Sequence, residues 1–334
     1  MQNLLDDMVD ARLGWTSPVV GSWYSETDLR QQLRDAMAAE ADRTHNGDFG
    51  SEYRDGVGMD GPTDPLEWAN RRLDLPGGGW AVTGIRFRAR DLKRPFVDVV
   101  ATSLPPTPDG LSVVAAAVAS AYRDFGPLCL RVDAPDVARL VQQLRSDPRF
   151  GPHCAVDMYV VAGLLTQLRA YPRASSYATV HLRAGEPQFL AGRVSAIYQE
   201  LAEREPQLRM WAAPEDAESL TECADAGLLF EVHADDVPAG VVAALRIDAH
   251  AMRGFSVQEL CLDASHRGRR LASGTVQRLV DQLGTDDGDV LWGTIHPSNS
   301  ASLRNALSIG RELVGGYAWV ATEDFPGMPA DAAR

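Results

Sequence analysis

"FSVQELCLDASHRGRRLASGTVQRLVDQL", residues 255–283, is the stretch on which the fold turns. Its first nine residues alternate around an apolar face, the pattern of a β-strand. Its last seventeen hold Leu271, Val276, Leu279, Val280 and Leu283 at helical spacing. The junction "SHRGRR" sets three arginines within four residues beside a glycine, in a chain of formal charge −14. Either a strand ends untidily there, or a helix N-terminus receives an anion. The first amides of a helix have no intrahelical partners, and the helix dipole adds roughly half a positive charge. A diphosphate placed there gains several charge-assisted hydrogen bonds.

At 334 residues with 45% hydrophobic side chains, the chain is long enough for two domains and for a normal core. No run of about 18 apolar residues suggests a membrane span. The N-terminal "MQNLLDDMVDARLGW" lacks the basic start and apolar core of a secretory signal, so a cytoplasmic protein is expected. Cys129, Cys154, Cys223 and Cys261 lie far apart with no C-x-x-C pair, which fits reduced core thiols and no metal site. The acidic balance, most of it after residue 174, argues against general polyanion binding. It makes the cluster Arg267, Arg269 and Arg270 more unusual.

Outward from this stretch, the chain reads as two similar halves. The first 75 residues look helical and loop-rich, with a capping pattern at Ser25. The glycine-crowded "HNGDFGSEYRDGVGMDGPTDP" (45–65) reads as a long surface loop. Strands at 80–90 and 96–103 are followed by a buried helix, a strand at 127–134, a helix and a strand at 155–163. "AYPRASS" (170–176) reads as a linker. After it come a strand at 177–184, helices near 187–204 and 214–226, and strands at 228–235, 241–248 and 255–263. The helix beginning at the arginines, a strand at 289–296, a helix at 298–311 and a strand at 312–320 close the chain. Domains of 1–174 and 175–334 are expected, a tandem repeat of one architecture.

The second half resembles the GCN5-related N-acyltransferases (GNAT superfamily), over about 175–322 and most strongly at 255–311. That family's diphosphate loop, R/Q-x-x-G-x-G/A after an apolar strand, aligns with Arg267, Gly268, Arg269, Arg270, Leu271 and Ala272. Its asparagine after the next strand, with Gly-Phe eleven and twelve residues on, aligns with Asn299, Gly310 and Arg311. The resemblance implies an α/β (α+β) fold of tandem GNAT-like domains, each a mixed, mostly antiparallel sheet flanked by helices. It implies acetyl-CoA or another acyl-CoA as co-substrate, its pantetheine arm pairing with Leu260, Cys261 and Leu262. Its diphosphate would lie on residues 267–272 and Ser273, with Asn299 serving the arm. Three positions depart from the family: Arg270 stands for a glycine, Ala306 for a common tyrosine, and Arg311 for phenylalanine. The first half resembles a degenerate copy, because "LPPTPD" replaces the phosphate loop and proline has no N–H to offer.

Acyl transfer to an amine needs a base for the ammonium proton and donors for an oxyanion. Glu259 is a candidate base, or else a solvated strand carboxylate. Glu231 is a candidate for the same cleft, with a structural role as its other reading. His296 ends the strand before Asn299 and can relay a proton or simply close a hydrogen bond. Ser302, one turn after Asn299, is a candidate donor to the leaving thiolate. His233 and His250 read as surface residues. The function expected is transfer from acyl-CoA to the amine of a small molecule. An aminoacyl-tRNA donor stays open if Arg267, Arg269, Arg270, Arg304 and Arg311 form one basic face, and so does a non-catalytic binding role.

Overall fold

Alternating apolar residues over "WAVTGIRF" and "FVDVVAT" make neighbouring strands, because period-two burial suits a sheet with helices on its faces. The computed structural model describes residues 2–59, 61–210, 212–284 and 286–329. Among them are eleven strands: β1 (Arg71–Leu75), β2 (Gly79–Phe87), β3 (Pro95–Thr102), β4 (Leu130–Ala134), β5 (Ala155–Leu164) and β6 (Val180–Ala184); then β7 (Leu229–Ala234), β8 (Val237–Arg246), β9 (Gly254–Leu262), β10 (Val290–Ile295) and β11 (Glu312–Val320). The chain divides into two units. The first takes residues up to 159 together with 249–251 and 314–329; the second takes 160–248 and 252–313.

In the first unit β1, β2 and β3 run antiparallel, β3 and β4 parallel, and β4 and β11 antiparallel. A parallel pair needs a crossover, supplied by the helix Pro108–Ala121. That helix and Val137–Ser146 bury Leu111, Val114, Leu140 and Leu144 against Ile85, Val97 and Val132. The helices Gln2–Leu13 and Glu26–Asp42 contribute Met8 and Ala41 to a second cluster with Val82, Val100 and Ala101. Ser25 caps the latter, accepting from the Asp28 amide at 3.2 Å.

In the second unit the sheet is again mixed. Strands β6, β7, β8 and β9 run antiparallel, β9 and β10 parallel, with the helix Leu271–Gln282 as the crossover. One face packs Phe230, Val242 and Phe255 with Leu271, Val276 and Leu279 of that helix. The other packs Leu229, Val241, Ala243 and Cys261 beneath Leu190, Val194 and Ile197 of the helix Pro187–Arg204. Each unit is thus a mixed, mostly antiparallel sheet flanked by helices.

Three local expectations are corrected. The stretch 45–65 is not a long loop: Gly47–Val57 is a helix, capped by the Asn46 side chain and ended by left-handed Gly58. Glycine at position 50 permits its packing, since a Cβ there would stand 1.9 Å from the Pro65 carbonyl oxygen. Strand β1 lies within the region expected to be helical and loop-rich, because three of the five residues of "RRLDL" are charged and only Leu75 is fully buried. The expected linker is fastened down, Gln277 accepting from the Ala174 amide and donating to the Pro172 carbonyl at 2.8 and 2.9 Å.

Candidate active site

The parallel pairing of β9 with β10 covers three residue pairs and ends at Ser256↔Trp292. Beyond it β9 runs six more residues to Leu262, and no strand pairs with its β10-side edge among the described residues. The divergence starts where the β8–β9 register slips between Ala243↔Glu259 and Ala244↔Val257, leaving Gln258 as a bulge. A bulge adds local twist and re-aims the next side chain. Leu260, Cys261 and Leu262 therefore lie along an edge that no other strand covers among the described residues, with the Leu260 amide turned to Glu259 and the Leu262 carbonyl to Arg267.

Glu259 is the residue the bulge presents. It is 3% exposed, on the same face as Cys261 and Ala243, beneath the helix Pro187–Arg204. Its Oε1 accepts from the Tyr198 hydroxyl at 3.2 Å and from the Leu260 amide at 2.9 Å. Burial raises its pKa from 4.5 to about 7, against the main-chain amides of Glu215 and Leu260 and the Tyr198 hydroxyl, which favour the charge. A solvated surface carboxylate is excluded. Burial likewise pushes the Cys261 thiol well up, so it stays a protonated core group.

Glu231 lies on the same face but is committed elsewhere. Arg193 donates to its Oε1 at 2.6 Å, and His233 Nε2 lies 2.6 Å from its Oε2. Arg193 also binds Asp263, where β9 enters the loop. His233 is accordingly buried and not on the surface. His250, half-buried, belongs to the first unit, 3.8 Å from Asp133.

The loop after β9 makes one short turn, Ala264–His266, before the arginines. Arg267 turns back: Nε donates to the Leu262 carbonyl at 2.9 Å, Nη2 to Glu200 at 3.2 Å, and buried Nη1 has no partner. Gly268 has φ +77° with open space around it. Arg269 reaches Asp235 at 3.1 Å on the surface. Arg270 is left-handed (φ 58°, ψ 24°), which explains the expectation of glycine at that place. It is the N-cap of Leu271–Gln282, and no side chain caps that helix, nor does an acid stand in its first turn. The amides of Leu271, Ala272 and Ser273 open the helix, while the Ser273 hydroxyl donates to Asn305 at 2.8 Å. The corresponding helix of the first unit is closed, with Thr107 accepting from Gly110 and Pro108 at its first turn.

Asn299 serves as N-cap of the helix Ser300–Ser308, its Oδ1 accepting from the Ser302 amide at 3.0 Å. His296 is half-buried, and its Nδ1 accepts from the Ser298 amide at 3.2 Å. Ala306 is buried, its carbonyl accepting the Arg311 amide at 3.2 Å. Arg311 is itself buried, and burial alone lowers its pKa to about 10. Sequence reasoning missed Tyr198 and Arg193. Their signal was two polar groups beside the apolar stripe Leu190, Val194, Ile197 on one helix.

No family model matches the chain, and no curated protein does. Its solved likenesses are of another kind. The chain is similar in fold to the GCN5-related N-acetyltransferases. One, from Sphaerobacter thermophilus, is 15% identical over 86% of this chain and 94% of its own, at a TM-score of 0.49. A GNAT-family acetyltransferase from Colwellia psychrerythraea is 11% identical over 90% and 98%, at 0.45. Arabidopsis thaliana Naa50, in complex with a bisubstrate analogue CoA-Ac-MVNAL, is 11% identical over 43% and 99%, at 0.33. No helix among the described residues is long and apolar enough to cross a membrane.

Proposed function

We propose that the second unit transfers an acyl group from an acyl-CoA to the amine of a small molecule. One observation carries this reading: a strand edge left unpaired runs from the buried carboxyl of Glu259 at its inner end to an uncapped helix N-terminus at its outer end. The diphosphate lies on the amides of Gly268 to Ser273, with charge from Arg270. The arm follows Leu262 to Leu260 as an added strand. Glu259, in its ionised form, takes the proton from the acceptor ammonium on the side of Tyr198. A pKa near 7 suits a general base at neutral pH. Glu231 with Arg193 and His233 is a positioning network that holds β7 to the entrance of the loop, and Ser302 remains within reach of Asn299 as a donor to the thiolate.

The first unit is read as a degenerate copy. Its β3 bulges at Val100, as β9 does at Gln258, but Ala101 follows where Glu259 stands. Thr107 and three prolines, Pro105, Pro106 and Pro108, close the helix end that would take phosphate. The aminoacyl-tRNA reading needs a basic face, and three of its five arginines are withdrawn: Arg267 to Glu200, Arg269 to Asp235, Arg311 into the core. Calorimetric titration with acetyl-CoA and longer acyl-CoAs tests the proposal. Saturable binding that weakens on Gly268→Pro supports it, and no heat with any thioester refutes it.

A further inference from the structure

Arg311 is the least explained charge in the second unit. It follows Gly310, whose φ of +91° turns the chain from the helix Ser300–Ser308 into β11. Only 5% of it is exposed, its Nε has no hydrogen-bond partner, and no carboxylate faces it among the described residues. A buried guanidinium without a counter-charge is costly, and arginine cannot relieve the cost by shedding its proton. Its Nη1 lies 3.8 Å from the place a Cβ on Gly293 would take, as does the Val257 Cβ. Gly293 is the first β10 residue past the last parallel pair, and a Cβ on it would meet nothing nearer than 3.8 Å.

The length of the donor says what arrives there, on the acyl-CoA reading given above, upon which this inference rests. A pantetheine arm has about a dozen bonds between phosphate and sulfur, as many as four extended residues, or about 14 Å. Counted back from Leu262 along β9, four residues end at Gln258, the bulge. The sulfur then stands beside Glu259, and the acyl chain continues to Val257, Gly293 and Arg311. From this we propose that the inner end of the β9–β10 cleft is a carboxylate subsite, and that the protein transfers acyl groups ending in a carboxylate, those of a monothioester of a dicarboxylic acid. The planar guanidinium matches such a terminus with two parallel hydrogen bonds. A neutral acyl group of equal length leaves the cation unmet.

The test is calorimetry of the whole protein with CoA, butyryl-CoA and succinyl-CoA, for the wild type and Arg311→Met. Removing a buried unpaired charge in favour of an apolar side chain of similar length does not threaten folding, and a raised Tm of the variant checks that. A site built around a polar group rejects the analogue lacking it strongly. Succinyl-CoA is therefore expected to bind about 100-fold more tightly than butyryl-CoA, and the variant to bring the two within about threefold while its affinity for CoA itself holds. Equal binding of the two thioesters by the wild type overturns the subsite and leaves the acyl-CoA reading standing. So does a preference that survives in the variant. Failure of every CoA derivative to bind overturns both.

Discussion

Glu259 shows how much one side chain's surroundings matter. Below pH 4.5 folded and unfolded chains both hold its proton. Between 4.5 and about 7 the unfolded chain gives it up first, so the folded state binds more protons and stability falls as pH rises. The full loss is roughly 3 kcal/mol. Urea unfolding at pH 5 and pH 8 should show this fall in the wild type and a smaller one in Glu259→Gln. Activity takes the opposite sign, since the base works ionised. The kcat/KM of the wild type is expected to rise through an apparent pKa near 7. Glu259→Gln should lose about 100-fold or more and that limb of the profile, with acyl-CoA affinity unchanged. Arg270 makes a second residue-scale case. Its left-handed backbone is strained for any side chain, and the side chain is exposed. Arg270→Gly is expected to stabilise by up to about 1 kcal/mol, read as a higher Tm.

At the scale of elements, the helix Leu271–Gln282 is held by a close approach that its composition does not advertise. Gly274 lies against the turn Ser175–Ala178, and a Cβ there would stand 2.9 Å from the Ser176 carbonyl carbon and the Tyr177 nitrogen. Helix propensity favours Gly274→Ala by about 1 kcal/mol, but the backbone it meets cannot yield as a side chain tip would. A net loss of roughly 1–3 kcal/mol is expected, seen as a lower denaturation midpoint. The same movement would shift Arg270, whose carbonyl accepts the Ser176 hydroxyl at 2.8 Å, and so weaken acyl-CoA binding. The helix itself was legible from spacing, and the arginines before it from charge. That its end is uncapped, while Thr107 caps its counterpart, depends on backbone torsions that spacing does not carry.

At the scale of the molecule, the division into units departs from chain order. Residues 314–329 complete the first unit: Gly316–Val320 pair with Leu130–Ala134, and Ala318, Val320, Ala321 and Phe325 join its core. Burying Trp319, Val320 and Phe325 is worth roughly 2 kcal/mol each, a sum comparable to the whole stability of a domain. A fragment of residues 1–174 is therefore expected to show no cooperative melt by circular dichroism. Addition of a 312–329 peptide should restore one. Cooperative melting of the fragment alone would contradict this account.

Read alone, the residue pattern sufficed for strands β2 to β11, the crossover helices and the arginine loop, because periodicity and charge are local properties. The helix at 47–57 escaped it, since glycine propensity is overridden where Gly50 must meet Pro65. The raised pKa of Glu259, the commitment of Glu231 to Arg193 and His233, and the isolation of Arg311 came from folding. Each is set by what surrounds a side chain across long stretches of sequence: burial removes water, and only distant residues can replace it or fail to.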